Sequence, residues 1–209
     1  DREREQPDRP GKEITMKLKD ILMVAITAVL FGIVYLGAVY AGAALTSVLT
    51  PSGLGILGYE PFYGIWFMAA IFTTYILQKK FVGIIAEMLA ALLEVLMGNM
   101  FGPIVFISGF IQGLGSELGF AAYRYKRYDL KSTMLAAAGA TVLSFIWTGV
   151  RSRYWTLSGD IVLAIFVVRL ISALLFAGLG SKLLADALAK AGVLTSYPLG
   201  GQYQVPDGE

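Results

Sequence analysis

The sequence predicts an all-α integral membrane protein, with six transmembrane helices in one bundle and both termini cytoplasmic. Hydrophobic residues make up 56% of the 209 residues and charged residues only 15%. The mean hydropathy of +0.67 is too apolar for an ordinary soluble domain of this length. Apolar stretches long enough to cross a bilayer alternate with short breaks rich in Gly, Pro, Lys or Arg. Together these observations favour a multi-pass protein of the cell membrane.

The chain is expected to divide into three parts. Residues 1–19 are polar and contain Pro7 and Pro10, which predicts a disordered or cloning-derived extension. Residues 20–194 are expected to form the six-helix membrane domain. Residues 195–209 are expected to form a flexible tail.

The first three spans have clear ends in the sequence. The first is expected over residues 20–49 and is broken by the sequence Thr50-Pro51-Ser52-Gly53. The second begins at Pro61, because proline is favoured in the first turn of a helix, and ends near residue 77. The third covers residues 82–97.

The last three spans are bounded in the same way. A Gly- and Pro-containing turn over residues 98–103 precedes the fourth span, which reaches about residue 123. A basic loop over residues 124–131 separates it from the fifth span, over residues 133–150. The sixth is expected over residues 161–190.

The distribution of positive charge predicts the orientation. With a cytoplasmic N-terminus, fourteen of the 17 Lys and Arg residues fall on the inner side. The outer loops then hold only Arg151 and Arg153. Because cytoplasmic loops of membrane proteins are rich in Lys and Arg, both termini are expected in the cytoplasm.

Several function classes are excluded by composition. The chain has no Cys and no His, which removes disulfides, thiolate or imidazole metal sites and Ser-His or Cys nucleophiles. It has no G-x-x-x-x-G-K-[ST] motif, so it is not expected to hydrolyse ATP itself. No metal, cofactor, enzymatic activity or nucleic-acid partner is expected.

Ionisable residues within the predicted spans are the first indication of function. Glu87, Glu94, Glu117 and Arg169 lie in otherwise apolar sequence. A charge in hydrocarbon costs at least about 2.5–3.5 kcal/mol, so such residues usually face the bundle interior. Glu87 and Glu94 are seven residues apart and lie within about 20° of one helix face. The alternative is that each pairs with a neighbouring helix.

The basic residue among these four needs a partner. Arg169 is expected to form a structural ion pair with Glu87 or Glu94. Glu117 is equally consistent with an interaction with the basic loop and with a ligand role. The remaining surplus of negative charge favours a cationic ligand.

Aromatic and amide residues complete a candidate pocket. Tyr63 and Trp66 are expected to wall it, although such residues also form interfacial aromatic belts. Glu60 is either a ligand contact or an acid favoured at a helix N-terminus. Asn99 and Gln112 supply paired donors and acceptors. The expected ligand is a flat, positively charged, nitrogen-rich heterocycle, and its phosphate esters are disfavoured by the acidic pocket.

Small residues mark one face of the first span. Ala25, Ala28 and Gly32 recur at three- and four-residue steps, a pattern that lets helices approach closely. Either a partner subunit docks on this face or the residues serve internal packing.

Four passages resemble the substrate-capture (S) components of energy-coupling-factor (ECF) vitamin transporters, in the YkoE-type thiamine and hydroxymethylpyrimidine branch. They are the run from Tyr59 to Phe67 (Y-E-P-F-Y-G-I-W-F), the stretch from Ala86 to Asn99, the run Gly113 to Glu117, and the run Val168 to Ser172. The resemblance implies a six-helix protein that binds thiamine, or its pyrimidine precursor, from outside. It also implies a separate transmembrane coupling subunit, docked on Ala25, Ala28 and Gly32, and two cytoplasmic ATPases.

One departure from the family pattern concerns the pocket. Other thiamine-capturing S components use a His there, and this chain has none. Gln112 or Asn99 is expected to replace it.

Two rival functions follow from the same residues. A proton-coupled secondary transporter of a small organic cation would use the carboxylates to load and release protons. The small size and the absence of an inverted repeat argue against it. A carboxylate-dependent intramembrane enzyme is disfavoured because the chain lacks His, Cys and a D-x-x-D-type metal cluster.

Overall fold

A computed structural model describes residues 16–203 of the chain, and all regular structure within this range is helical. The expectations for residues 1–15 and 204–209 lie outside the described residues. The helices are α1 (Leu18–Leu49), α2 (Met68–Leu77), α3 (Val82–Leu96), α4 (Ile104–Ala122), α5 (Leu130–Arg151), α6 (Gly159–Ser172), α7 (Ser181–Lys190) and α8 (Pro198–Gly201). The all-α class is confirmed.

Four stretches of the described chain are long and apolar enough to cross a membrane. They are Leu18–Ser52, Ile104–Ala122, Leu130–Arg151 and Gly159–Lys190. The last is one continuous rod, because a π-helical segment (Ala173–Gly180) joins α6 to α7. The apolar helix Ile65–Leu77 is shorter, and α3 has 15 residues. Six crossings therefore stay a prediction.

Helix α2 forms the centre of the bundle. Every residue from Ala69 to Leu77 is buried, and the helix packs against α1, α3, α4, α5 and α7. A helix that is apolar all round is expected in such a position. The hydrophobic core is built around it, with Phe67, Ile71 and Ile76 fully buried.

Glycines allow α4 and α5 to approach closely. A Cβ atom on Gly119 would lie 2.3 Å from the Cα atom of Ala136. A Cβ atom on Gly139 would lie 2.3 Å from the carbonyl oxygen of Gly115. Small residues at both ends of the contact therefore set the distance between these two helices.

The small-residue face of α1 serves internal packing. Ala28 is 1% exposed, and a Cβ atom on Gly32 would lie 3.1 Å from the Cβ atom of Leu93 on α3. The expectation that Ala28 and Gly32 dock a partner subunit is therefore wrong, because α3 already covers them. Of the three predicted residues only Ala25 is exposed.

Residues 195–203 fold back onto the bundle. Leu194 and Leu199 are buried, and the Tyr197 hydroxyl donates a hydrogen bond to the Lys19 carbonyl oxygen at 2.9 Å. This part of the expected flexible tail thus packs near the start of α1. The domain boundary at residue 194 stays a prediction.

Candidate functional site

A cavity of about 490 Å³ opens between α1, α3, α4, α5 and the irregular segment 50–67. Its volume lies within the range of roughly 300–1,000 Å³ that is usual for small-molecule sites. The seven residues predicted as ligand contacts all line it: Glu60, Tyr63, Trp66, Glu87, Glu94, Asn99 and Gln112. The structure thus brings together side chains that are up to 52 positions apart in the sequence.

Glu87 is held where three helices meet. The Tyr35 hydroxyl and the Ala70 backbone N–H both donate to its Oε2 atom, at 2.9 Å each. The Tyr35 hydroxyl in turn accepts a hydrogen bond from the Ala69 N–H at 3.0 Å. Oε1 of Glu87 has no hydrogen-bond partner among the described residues. One oxygen is therefore fixed, and the other is left without a partner.

Glu94 lies one heptad further along α3. Its Oε1 atom accepts a hydrogen bond from Asn99 Nδ2, and Asn99 Oδ1 accepts from the Phe101 N–H at 2.6 Å, which fixes the orientation of the amide. The Trp66 indole approaches the same carboxylate. Within the described chain, Oε2 of Glu94 has no partner of hydrogen-bonding geometry. The two carboxylates on this face of α3 thus each keep an unused acceptor.

Aromatic rings form another wall of the cavity. The Trp66 ring lies 6.4 Å from the Tyr59 ring and 5.5 Å from the Tyr63 ring. Trp66 is only 9% exposed, so its ring is covered by protein rather than facing outward. The sequence predicted an α-helix from Pro61, but the chain runs in 3₁₀ turns until Phe67 and becomes α-helical only at Met68.

Arg169 pairs with Glu60. Its Nε and Nη2 atoms each lie 2.7 Å from a different carboxylate oxygen of Glu60. The prediction that Glu87 or Glu94 would be the partner is wrong. Helix α6 packs against the segment Glu60–Phe62 rather than along α3, so Glu60 is the carboxylate within reach. The structural role of Arg169 stays a prediction.

Other groups complete the surroundings of Arg169. Its Nη1 atom donates to Thr148 Oγ1 at 2.8 Å, and its Nη2 atom donates to the Tyr154 hydroxyl at 3.2 Å. The guanidinium also lies 3.6 Å from the centre of the Tyr63 ring. Sequence reasoning missed Thr148 and Tyr154. The sequence could have predicted that further acceptors exist, because a buried guanidinium has more N–H donors than one carboxylate can accept.

Glu117 lies outside the cavity. Its Oε1 atom accepts a hydrogen bond from the Phe81 N–H at 2.5 Å, and Tyr125 also hydrogen-bonds to the carboxylate. Glu117 therefore joins the α2–α3 connection to the α4–α5 loop. Of its two predicted alternatives, the structure places it in the loop interaction.

Several polar residues that sequence reasoning did not assign also line the cavity. Ser108 accepts a hydrogen bond from Trp147 Nε1 at 2.9 Å, and Arg151 and Ser152 lie at the C-terminal end of α5. Tyr35 lies deeper, beside Glu87. A single hydroxyl in an apolar helix carries no periodic signal, which is why Tyr35 escaped prediction.

The buried carboxylates of the cavity differ in their partners. Glu60 is neutralised by Arg169, whereas Glu87 and Glu94 have no basic partner within the salt bridges of residues 16–203. In the same range no group of three or more metal-ligating residues occurs. The arrangement is therefore suited to a cationic organic ligand that aromatic rings can stack on.

Known proteins resemble this chain in both structure and sequence. A solved structure described as an S-component of an ECF transporter superposes with a TM-score of 0.85, covers 90% of this chain and 93% of its own, and is 39% identical. The protein "Putative HMP/thiamine permease protein YkoE" of Bacillus subtilis (strain 168) is 40% identical over 184 residues, which are 88% of this chain and 90% of that protein. The chain belongs to the S components of ECF transporters.

A broader family description agrees with this membership. Residues 19–143 of the S component match the family described as "ABC-type cobalt transport system, permease component". The chain is therefore a multi-pass transporter component of the cell membrane and not an enzyme.

Proposed function

We propose that this S component captures thiamine, or its hydroxymethylpyrimidine precursor, from the extracellular side. The observation that carries the proposal is the pair of buried carboxylates: Glu87 and Glu94 line one cavity and each keeps an oxygen without a partner. Two uncompensated acids in an apolar bundle are expensive unless a cation offsets them. Thiamine combines a cationic ring with an aminopyrimidine, and the name of the B. subtilis relative refers to thiamine and HMP.

The residues divide into roles. Glu94 and Glu87 face the aminopyrimidine or the thiazolium, with Asn99 fixing Glu94 and Gln112 adding a polar contact. Trp66 stacks on a ring of the ligand. Tyr63 supports it, since one face of Tyr63 is already occupied by Arg169. Glu60 positions Tyr63 through Arg169 rather than contacting the ligand, because both of its oxygens are engaged.

The topology belongs to the same proposal. Six crossings with both termini in the cytoplasm place residues 50–60, 98–103 and 151–160 outside, where the cavity opens. Because the chain has no Cys, single-cysteine variants test this without background. Arg153→Cys should react with a membrane-impermeant maleimide on intact cells, and Lys126→Cys should react only after lysis.

Energy for transport is proposed to come from a transmembrane coupling subunit and two cytoplasmic ATPases. With Ala28 and Gly32 covered by α3, the surface available on α1 is its outward face, which includes Ile21, Ala25 and Val29. Membrane lipid covers this face when no subunit is bound.

Titration calorimetry of the purified protein tests the binding proposal. Thiamine and hydroxymethylpyrimidine should each give saturable heat with one site per chain. Absence of saturable heat for both compounds would remove the proposal. Thiamine uptake into liposomes by this chain alone, driven by a proton gradient, would instead favour a secondary transporter.

A further inference from the structure

The lining of the cavity changes in charge from its floor to its rim. Glu87, which is 0% exposed and hydrogen-bonded to Tyr35, lies on the floor. Glu94 lies one heptad nearer the rim, beside Asn99 in the turn that follows α3. Arg151 and Ser152 are exposed and lie at the end of α5. Glu87 and Arg151, which line one cavity, are thus separated by depth.

Arg151 is a cation without a carboxylate partner. The ion pairs within residues 16–203 involve Lys79, Arg127, Arg169 and Lys182 but not Arg151. Its guanidinium lies 5.8 Å from the centre of the Trp147 ring, which leaves its N–H groups available. Arg169, the other arginine near the cavity, has its charge neutralised by Glu60.

Helix geometry places Arg151 on the cavity side of α5. Thr148 lines the cavity, and its Oγ1 atom accepts a hydrogen bond from Arg169. Arg151 and Ser152 follow it by three and four residues, so they share its helix face one turn further out. The Ser152 hydroxyl adds a second donor beside the guanidinium.

Residues that line the cavity are spread along the C-terminal half of α1. Tyr35, which binds Glu87, and Thr50 both line it and both belong to or directly follow α1. Fifteen residues of helix separate them, or about 22 Å at 1.5 Å per residue. A substituent that points away from the acidic floor therefore has room at the rim.

From this arrangement we infer that the cavity has a second, anion-accepting subsite at its rim, formed by Arg151 with Ser152, which takes the phosphate group of a phosphate monoester of the ligand. The subsite extends the proposed function and rests on it. It reverses the expectation from sequence that an acidic pocket disfavours phosphate esters, because Glu87 and the free arginine lie at opposite ends of the cavity. The carbonyl end of α5 alone would repel an anion, so the preference depends on the Arg151 guanidinium.

Binding of thiamine and thiamine monophosphate to wild type, Arg151→Gln and Arg153→Gln tests the inference. Arg153 is the matched control, since it is also exposed but does not line the cavity. Arg151→Gln should lower the affinity for thiamine monophosphate by about three- to tenfold. This is the range for a charge-assisted hydrogen bond that exposure to solvent weakens. The same variant should bind thiamine slightly more tightly, because a positive charge near a cationic ligand is removed. Arg153→Gln should change neither affinity by more than about twofold.

Weaker binding of the monophosphate together with tighter binding of thiamine by Arg151→Gln supports the subsite. The melting temperature of each variant checks that it is folded. Three results overturn it: no binding of the monophosphate by wild type, equal effects of Arg151→Gln and Arg153→Gln, or parallel losses for both ligands. In each of these cases saturable binding of thiamine by wild type still supports the proposed function. If thiamine itself does not bind, the proposed function fails first.

Discussion

Arg169 and Glu60 form a two-point ion pair inside the protein, with 2.7 Å between each pair of facing atoms. The side chains are 0% and 3% exposed. The pair connects α6 to the segment that carries Tyr63 and Trp66. It therefore fixes the aromatic wall of the cavity without contributing net charge to it.

Removing one member of this pair should strongly destabilise the protein. Arg169→Met leaves Glu60 buried without a counter-ion, which should cost about 3–5 kcal/mol in the free energy of unfolding. Unfolding in detergent, followed by intrinsic fluorescence, measures the change. The double variant Glu60→Gln/Arg169→Met should lose less than the sum of the two single losses. A single Arg169→Met loss below about 1 kcal/mol would contradict the structural role.

Tyr35 should be needed to hold Glu87. Tyr35→Phe removes the donor to Glu87 and the acceptor for the Ala69 N–H, which leaves buried polar groups unpaired at a cost of about 1–3 kcal/mol. Tyr40→Phe is the control on the same helix, because Tyr40 is 58% exposed. Equal melting temperatures for the two variants would show that the Tyr35 hydroxyl does not support Glu87.

Glu94 should carry much of the affinity for a cationic ligand. Glu94→Gln keeps the shape of the side chain but removes its charge, so thiamine should bind about 10- to 100-fold more weakly, as for loss of a hydrogen bond to a charged group. Glu117→Gln is the matched control, because Glu117 is equally buried but lies outside the cavity. Titration calorimetry on both variants separates the two roles. Unchanged affinity in Glu94→Gln would assign Glu94 to structure.

The close contact between α4 and α5 predicts a contrast between two glycines. Gly119→Ala places a Cβ atom 2.3 Å from the Ala136 Cα atom, so the helices must separate, at a cost of about 1–3 kcal/mol. A Cβ atom added at Gly37 would have no neighbouring atom within 4 Å. Gly37→Ala should therefore stabilise α1 by about 0.5–1 kcal/mol, because Ala has a higher helix propensity than Gly. The melting temperature should therefore fall in Gly119→Ala and rise in Gly37→Ala. A Gly119→Ala protein as stable as wild type would mean that the helices are further apart than described.

Sequence reasoning found the helices and the cavity residues because both leave a periodic signal. Glu87 and Glu94 share a face at a spacing of seven, and that face does line the cavity. The partner of Arg169 was not predictable, since pairing depends on which helices are neighbours, and local sequence does not encode that. The 3₁₀ geometry before Met68 was missed because Pro61 starts either helix type equally well. Small residues such as Ala28 and Gly32 could not be assigned either, because the same pattern suits internal and external helix contacts.

The N-terminus of α5 should make stability depend on pH in the acidic range. Asp129 caps this helix by accepting a hydrogen bond from the Ser132 N–H at 3.0 Å, and it pairs with Arg127 at 2.5 Å. Partial burial raises the pKa of Asp129, but Arg127 and the Ser132 N–H outweigh it, so the pKa lies below its ordinary value. A lowered pKa in the folded state means that the stabilisation is present above the unfolded value of about 3.9 and is lost as the pH falls through the folded value.

Two substitutions of Asp129 separate capping from charge. Asp129→Ala should cost about 0.5–2 kcal/mol at neutral pH, the range for loss of an N-cap, and this difference from wild type should shrink below about pH 4. Asp129→Asn keeps the cap acceptor without titrating, so it should stay within a few tenths of a kcal/mol of wild type at neutral pH and should not lose this contribution in acid. The pair with Arg127 adds little, because the two side chains are 43% and 39% exposed. The measurement is the melting temperature of wild type and both variants from pH 3 to pH 7. If the difference between wild type and Asp129→Ala is the same at pH 3 as at pH 7, the ionised carboxylate is not what caps the helix.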